Sequence, residues 1–149
     1  MVHVRYATLD DLATVVPLFQ AYRAHFGKPS DPAAEYQFVR ERMLLRQSVI
    51  LLAETETGHA LGFSQLYPMF GSLNMVNSLL LNDLFVAETA RGMGVGRALL
   101  CKAQQHAKAV GAVRLNLFTG VDNQQAQTLY EACGFQRDTA HYGYYLPLS

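Results

Sequence analysis

Several features are scarce in this chain of 149 residues. Cysteine occurs only twice, at Cys101 and Cys133, without a CxxC spacing. Two cysteines build neither a disulfide framework nor a thiolate zinc site, so the expectation is two small buried thiols in a reducing compartment. Neither sign of charge is in excess, with 12 Lys and Arg against 12 Asp and Glu. That balance offers nothing to a polyanion or an anionic lipid surface, and neither nucleic acid nor a membrane is expected as a partner. No apolar run is long enough to span a bilayer. The first five residues alternate like a strand and do not form a basic head on an apolar stretch. A soluble, cytoplasmic protein follows as the expectation. The five histidines include no HxxxH or HExxH pair, so no metal is expected.

Hydrophobic residues make up 50% of the chain, enough for a sizeable core. The length suits one domain over residues 1–149. Residues 2–6 read as a strand. Thr8 fits a helix cap, with Asp10 and Asp11 in the first turn, where the helix dipole favours acids. Leu12, Val15, Phe19, Tyr22 and Phe26 then recur at helical spacing, with Pro17 inside the run as a possible kink. Asp31-Pro32 starts a second helix. Residues 48–54 and 59–67 read as a hairpin, 68–77 as a loop, and "SLLLNDLFVA" (78–87) as a long apolar strand. A glycine loop and a helix follow, with Gly111 just past the helix end. The remainder reads as a strand in "AVRLNLFT", a helix from Asn123 to Ala132, and short strands at 135–137 and 141–146. This order predicts an α/β fold with a mixed, mostly antiparallel sheet of about seven strands flanked by about four helices.

The most informative stretch is "RGMGVGRALL", residues 91–100. A glycine-rich turn that opens a helix exposes backbone N–H groups to an anion, usually a phosphate. A P-loop requires Lys and Ser or Thr after the last glycine, and here Arg97-Ala98 follows. A dinucleotide fingerprint reads GxGxxG, and here the spacing is GxGxG.

These residues resemble the signature of the GNAT superfamily of acetyl-CoA-dependent N-acetyltransferases, which is Arg or Gln, two residues, Gly, one residue, Gly or Ala. Arg91, Gly94 and Gly96 match it. "NQQAQTLYEACGF", residues 123–135, is similar to the superfamily's later helix. The nearest likeness is to the branch acting on polyamines, histone tails and small amines. What the resemblance implies is as follows. Acetyl-CoA is the acetyl donor. Phe85 and Val86 offer backbone groups to its acetyl and pantetheine part. Arg91, Gly92, Met93, Gly94, Val95, Gly96 and Arg97 cradle the pyrophosphate. Asn123 and Ala126 face the pantetheine arm, and Tyr130 is the general acid beside the sulfur. A homodimer is also implied, with the aromatic C-terminal "HYGYYLPLS" as its candidate surface.

Direct transfer needs an oxyanion donor, an acid for the thiolate and a base for the amine. Asp83, an acid inside an apolar strand, is the candidate base; its other reading is a structural partner for an arginine or a loop. In polyamine enzymes a Glu stands where this chain has Asn82, and Asn cannot serve as a base. By pattern alone Tyr130, at helical spacing from Ala126 and Cys133, reads as core, and the motif match turns that to the functional reading. Tyr22, His25, Phe26 and Tyr67 are the candidate walls for a small-molecule amine acceptor. The leading expectation is therefore N-acetylation of a small primary amine. The alternatives are acetylation of a peptide tail, a CoA-binding sensor without catalysis, and a dinucleotide oxidoreductase.

Overall fold

The computed structural model describes residues 1–149, which form two units, Met1–Phe118 and Thr119–Ser149. The first unit contains β1 (His3–Tyr6), α1 (Leu12–His25), α2 (Pro32–Leu44), β2 (Val49–Glu54), β3 (Ala60–Gly71), β4 (Val76–Val86), α3 (Val95–Ala109) and β5 (Leu115–Asn116). The strands lie in sequence order in one sheet. The first three pairings are antiparallel, and β5 joins β4 in parallel, at Leu79 and Leu80 only.

Strand alternation sorts the side chains onto two faces. Ile50, Leu52, Phe63 and Phe85 point to one face and pack with Leu12, Val15, Val16, Leu18 and Phe19 of α1 and with Val39 of α2. The opposite face meets α3, which buries Leu99, Leu100, Ala103, His106 and Ala107. His106 is tied to β1 through its Nδ1, 2.8 Å from the Tyr6 hydroxyl. The helix face explains a correction to the thiols: Cys101 lies away from that buried stripe and is exposed, and Cys133 is half-buried.

The entry to α1 follows the expected chemistry. Thr8 and Asp11 form a capping box around a 3-10 turn, Leu9–Asp11. Arg5 donates to both oxygens of Asp11 at 2.9 Å and to Glu54 at 2.8 Å. Its hydrogen bonds hold the Asp11 carboxyl down at about 2, against an ordinary 3.8. A depressed carboxylate stabilises the fold above its unfolded value and loses that contribution as pH falls from there through about 2. Because Arg5 is partly exposed, solvent screening reduces the effect, and Asp11→Asn is expected to cost about 1 kcal/mol at neutral pH. Urea denaturation at pH 7 and again near the acid end should show that deficit shrinking in acid. A deficit independent of pH would mean that Asp11 acts only as a cap.

The sheet departs from expectation in three places. It has five strands and not seven. Of the loop expected over residues 68–77 only the turn at 72–75 remains, because β3 and β4 continue as paired strands out to Gly71 and Val76. Pro68 is tolerated there because β2 has already ended at the Val49–Leu66 pair. The Leu79 N–H points away from β3, to the Arg114 carbonyl. The Pro68–Leu79 pair is therefore one that exchanges no hydrogen bonds, and the ladder needs no N–H from Pro68. At the hairpin tip Phe70, Leu73 and Met75 are exposed. Finally, the strand expected over 112–119 is reduced to Leu115–Asn116.

The second unit contains α4 (Gln124–Ala132), capped by the Asn123 side chain, which accepts from the Ala126 N–H at 3.2 Å. Gly134 follows the helix with a φ of 93°, as a C-terminal glycine should. Residues 135–137 and 141–146 are not strands as expected, since they pair with no neighbouring ladder. Tyr142, Tyr144 and Tyr145 are almost fully exposed.

Candidate active site

The glycine stretch adopts the strand-to-helix junction that its composition implied. Gly92 and Gly94 both have φ of 79°, which other residues adopt only under strain. A Cβ at either would meet nothing within 4 Å, so these glycines serve the dihedral and not packing against the protein. Gly94 caps α3 with no side chain bonding the helix end. The first bond closing the helix is Ala98 N–H to the Gly94 carbonyl at 3.0 Å. Val95, Gly96 and Arg97 thus belong to the helix's first turn, whose N–H groups have no acceptor inside the helix. This arrangement suits phosphate oxygens. Arg97 is exposed beside it, while the Arg91 Nε donates to the Val86 carbonyl at 3.3 Å.

Beside this turn, β4 has an open edge. Ala87 donates to the Leu61 carbonyl at 2.8 Å. Alternation then aims the N–H groups of Leu84 and Val86 away from β3. β5 pairs only at Leu79 and Leu80, so no strand covers the edge at residues 84–86. Close approach on the other side is fixed by Gly62, where a Cβ would collide with the Phe85 carbonyl.

Asp83 faces the layer of α1 and α2. The register slips between the Gln65–Asp83 and Leu66–Leu81 pairs, leaving Asn82 as the extra residue of a bulge. Asp83 is only 3% exposed. Gln65 Nε2 donates to its Oδ2 at 2.6 Å and Asn82 Nδ2 to its Oδ1 at 3.1 Å. The Tyr22 hydroxyl is its third donor. Burial raises the pKa of Asp83 above the ordinary carboxylate value, against the opposing pull of these donors. No arginine is among its partners, so the sequence reading of Asp83 as a partner of arginine does not describe it. Gln65 was not legible as a site residue. It is fully buried, and the Ser48 hydroxyl donates to its Oε1 at 2.7 Å, which orients the amide to present N–H to Asp83. The signal available was a glutamine inside the apolar strand "LGFSQLY".

The expected acceptor walls come together on this face. Tyr22 meets Phe26, Phe63 and Phe85 with ring centroids 5.2, 5.8 and 6.1 Å away. His25 lies 6.2 Å from Phe85 and 5.1 Å from Phe26. Phe26 is 58% exposed, more open than helix packing would make it. Tyr67 shares its strand face with Gln65. Burial, then the charge of Asp83, raises its phenol to about 12, so it stays a neutral donor. Arg42 on α2 also acts on Tyr67, in the opposite direction.

In the second unit, Tyr130 packs against Phe135 at 5.9 Å, and burial alone raises its phenol above the ordinary value. Asn123 and Ala126 bond each other at the start of α4. A shallow cleft elsewhere, lined by Tyr6, Thr8, Met43, Arg46, Ser48 and Ile50, contains none of the residues singled out for the reaction. No helix is long and apolar enough to cross a membrane.

Known proteins resemble this chain along nearly its whole length. The model of the acetyltransferase (GNAT) family matches residues 15–135. An uncharacterised N-acetyltransferase of Bacillus subtilis is 41% identical over 144 residues, 97% of this chain and 96% of its own length. A D-amino-acid N-acetyltransferase of Saccharomyces cerevisiae is 34% identical over 92 residues, 62% of this chain and 57% of its own length. The crystal structure of a probable acetyltransferase is 41% identical and superposes with a TM-score of 0.95, covering 99% of this chain and 98% of that one.

Proposed function

The chain belongs to the GNAT family of acetyltransferases, and from that premise we propose that it moves the acetyl group of acetyl-CoA directly to the primary amine of a small molecule. The observation that carries the reading is the buried Asp83 carboxylate, joined through the Tyr22 hydroxyl to a cluster of rings. That combination suits a small amine, whose proton needs an acceptor once nitrogen attacks.

Acetyl-CoA, when bound, supplies an activated thioester; the chain supplies binding, orientation and proton movement. The free N–H groups at the start of α3, with Arg97, hold the pyrophosphate. Phe85 and Val86 offer backbone groups along the open β4 edge, and the Val86 N–H donates to the oxygen on which charge develops. Asn123 and Ala126 hold the pantetheine arm by the motif they match. The Asn123 amide nitrogen is left for this, because its oxygen already caps α4. The amine proton passes to the Tyr22 oxygen while Tyr22 gives its own to Asp83. Tyr130 donates to the leaving sulfur. No covalent acyl-enzyme is required.

Acetyl-CoA at about 100 times its Kd should add about 2.7 kcal/mol of stability, on the order of 5–10 °C in Tm, while NAD adds nothing. Thiol release should follow with some member of a panel of amines, amino acids, aminoglycosides and basic peptides. Release with basic peptides alone would replace the small-molecule reading. Silence across the panel, with the thermal shift intact, would mean a CoA sensor.

A further inference from the structure

β3 buries two polar residues side by side inside an apolar run. Ser64 and Gln65 are both fully buried, between the buried Phe63 and Leu66. A polar group inside a core strand is costly unless it is bonded. Both of these bond Asp83. The Ser64 hydroxyl donates to the Asp83 backbone carbonyl at 2.8 Å, and Gln65 Nε2 donates to the carboxylate Oδ2 at 2.6 Å. Gln65 and Asp83 are also direct cross-strand partners. The row extends one residue further, because Ser48, just before β2, donates to Gln65 Oε1 at 2.7 Å.

The row has a direction. An ionised carboxylate only accepts, so the amide must turn Nε2 to Asp83 and Oε1 to Ser48. The serine supplies the hydroxyl proton that Oε1 then needs, and donor meets acceptor at each link. A proton on Oδ2 of Asp83 would meet the Gln65 N–H donor to donor, and one on Oδ1 would meet the Asn82 N–H in the same way. Asn82 is exposed and can turn to water, whereas Gln65 is sealed in the core. Among the donors that pull against burial at this carboxyl, Gln65 comes first, ahead of Tyr22 and Asn82.

We propose that Ser48 and Gln65 are positioning residues, a polarised row of hydrogen bonds that holds Asp83 in its charged, proton-accepting form. The use made of that charge rests on the acetyltransferase reading of this site. Gln65 touches no substrate and acts through the carboxylate alone. Ser48 lines the open cleft shared with Tyr6, Met43 and Arg46, so the row is anchored away from the reaction. The titratable groups on the Asp83 face are Tyr67 of β3, Tyr22 and His25 of α1 and Arg42 of α2, besides the Arg23–Glu35 pair, closed on itself at 2.8 Å. All of these stay in place in the variants below, so a displaced titration of Asp83 reports the row.

The test follows the Asp83 carboxyl carbon by carbon-13 NMR in the full chain labelled in aspartate, its signal identified by its loss in Asp83→Asn. Gln65→Met keeps the length of the side chain and donates nothing. Its Asp83 titration should move up by about one to two pH units, the size of one hydrogen bond to a charged group. Ser48→Ala should move it the same way by about 0.3 pH unit, the share that polarisation along a chain of hydrogen bonds supplies. Ser48→Thr should keep the wild-type midpoint, since the open cleft takes the added methyl. Ser48→Ala made in Gln65→Met should add nothing, because the serine acts through the amide. In kcat/KM for an accepted amine the acid limb should move by the same amounts. That is a loss of about tenfold below the limb for each pH unit, with rates above it within about threefold of the wild type. A merely structural role would lower the rate equally at every pH. An unmoved midpoint in Gln65→Met or Ser48→Ala, or additive shifts in the double variant, would overturn the proposal. A moved midpoint without any limb in the rate would leave the row standing and remove Asp83 as the base. If Gln65→Met does not melt cooperatively, Ser48→Ala against Ser48→Thr decides alone.

Discussion

Tyr130→Phe is expected to lower kcat by about 100-fold while leaving the affinity for acetyl-CoA within about twofold. General acids contribute roughly 100- to 10,000-fold, and two features of Tyr130 place the expectation at the lower end. Burial raises its phenol above the ordinary value, so it is protonated throughout the neutral range and always available as a donor. The same shift makes it a weaker acid than a thiol of about 8.5, so in the proposed role its help is expected as a hydrogen bond to the sulfur as the bond breaks, with proton transfer late. The phenylalanine ring keeps the packing on Phe135. Binding and folding should therefore survive, and a loss of stability without a loss of kcat would return Tyr130 to the core. Single-turnover kinetics with the amine in excess separate the chemical step from product release.

How far these roles could be read in advance depended on where the determining contacts lie. The glycine turn was legible because its determinants are local: two positive φ angles and a helix start sit within a few residues. The Asn123 cap and Gly134 were legible for the same reason. Pro68 misled because a proline reads as a break, and only the end of β2 one pair earlier explains why β3 can continue through it. The C-terminal tyrosines misled in the opposite way: strand-like composition does not make a strand without a ladder partner. Gln65 was illegible because its significance is tertiary. The glutamine matters for what it holds across 18 positions of sequence. Asp83 lay between these cases. Its apolar surroundings in "LLLND" gave the burial, but only the bulge at Asn82 and the absence of a cationic partner separate a base from an ion-pair anchor.

Asp83→Asn should lower kcat/KM by about 100-fold or more near neutral pH, and the pH profile should identify the cause. As the proposed base, Asp83 works in the carboxylate form. Because its pKa is raised, the wild-type rate should fall as pH drops through a value above the usual carboxylate range. Asparagine has no such titration, so this acid limb should vanish from the variant. The deficit should be greatest above that limb and should narrow again as the substrate amine approaches neutrality near ~10, where less help is needed. Stability should move the other way. A carboxylate whose folded pKa is raised favours the fold only while protonated, and that contribution is lost as pH rises through the folded value. Once ionised, Asp83 is a buried charge held by three uncharged donors. Asparagine keeps an oxygen for the Gln65 N–H, and the Tyr22 hydroxyl can turn to accept. The Tm at pH 7 is thus expected to stay level or rise while activity collapses. A fall in both would mean that Asp83 holds the bulge together and takes no proton. An unchanged pH profile with retained activity would assign the base to solvent.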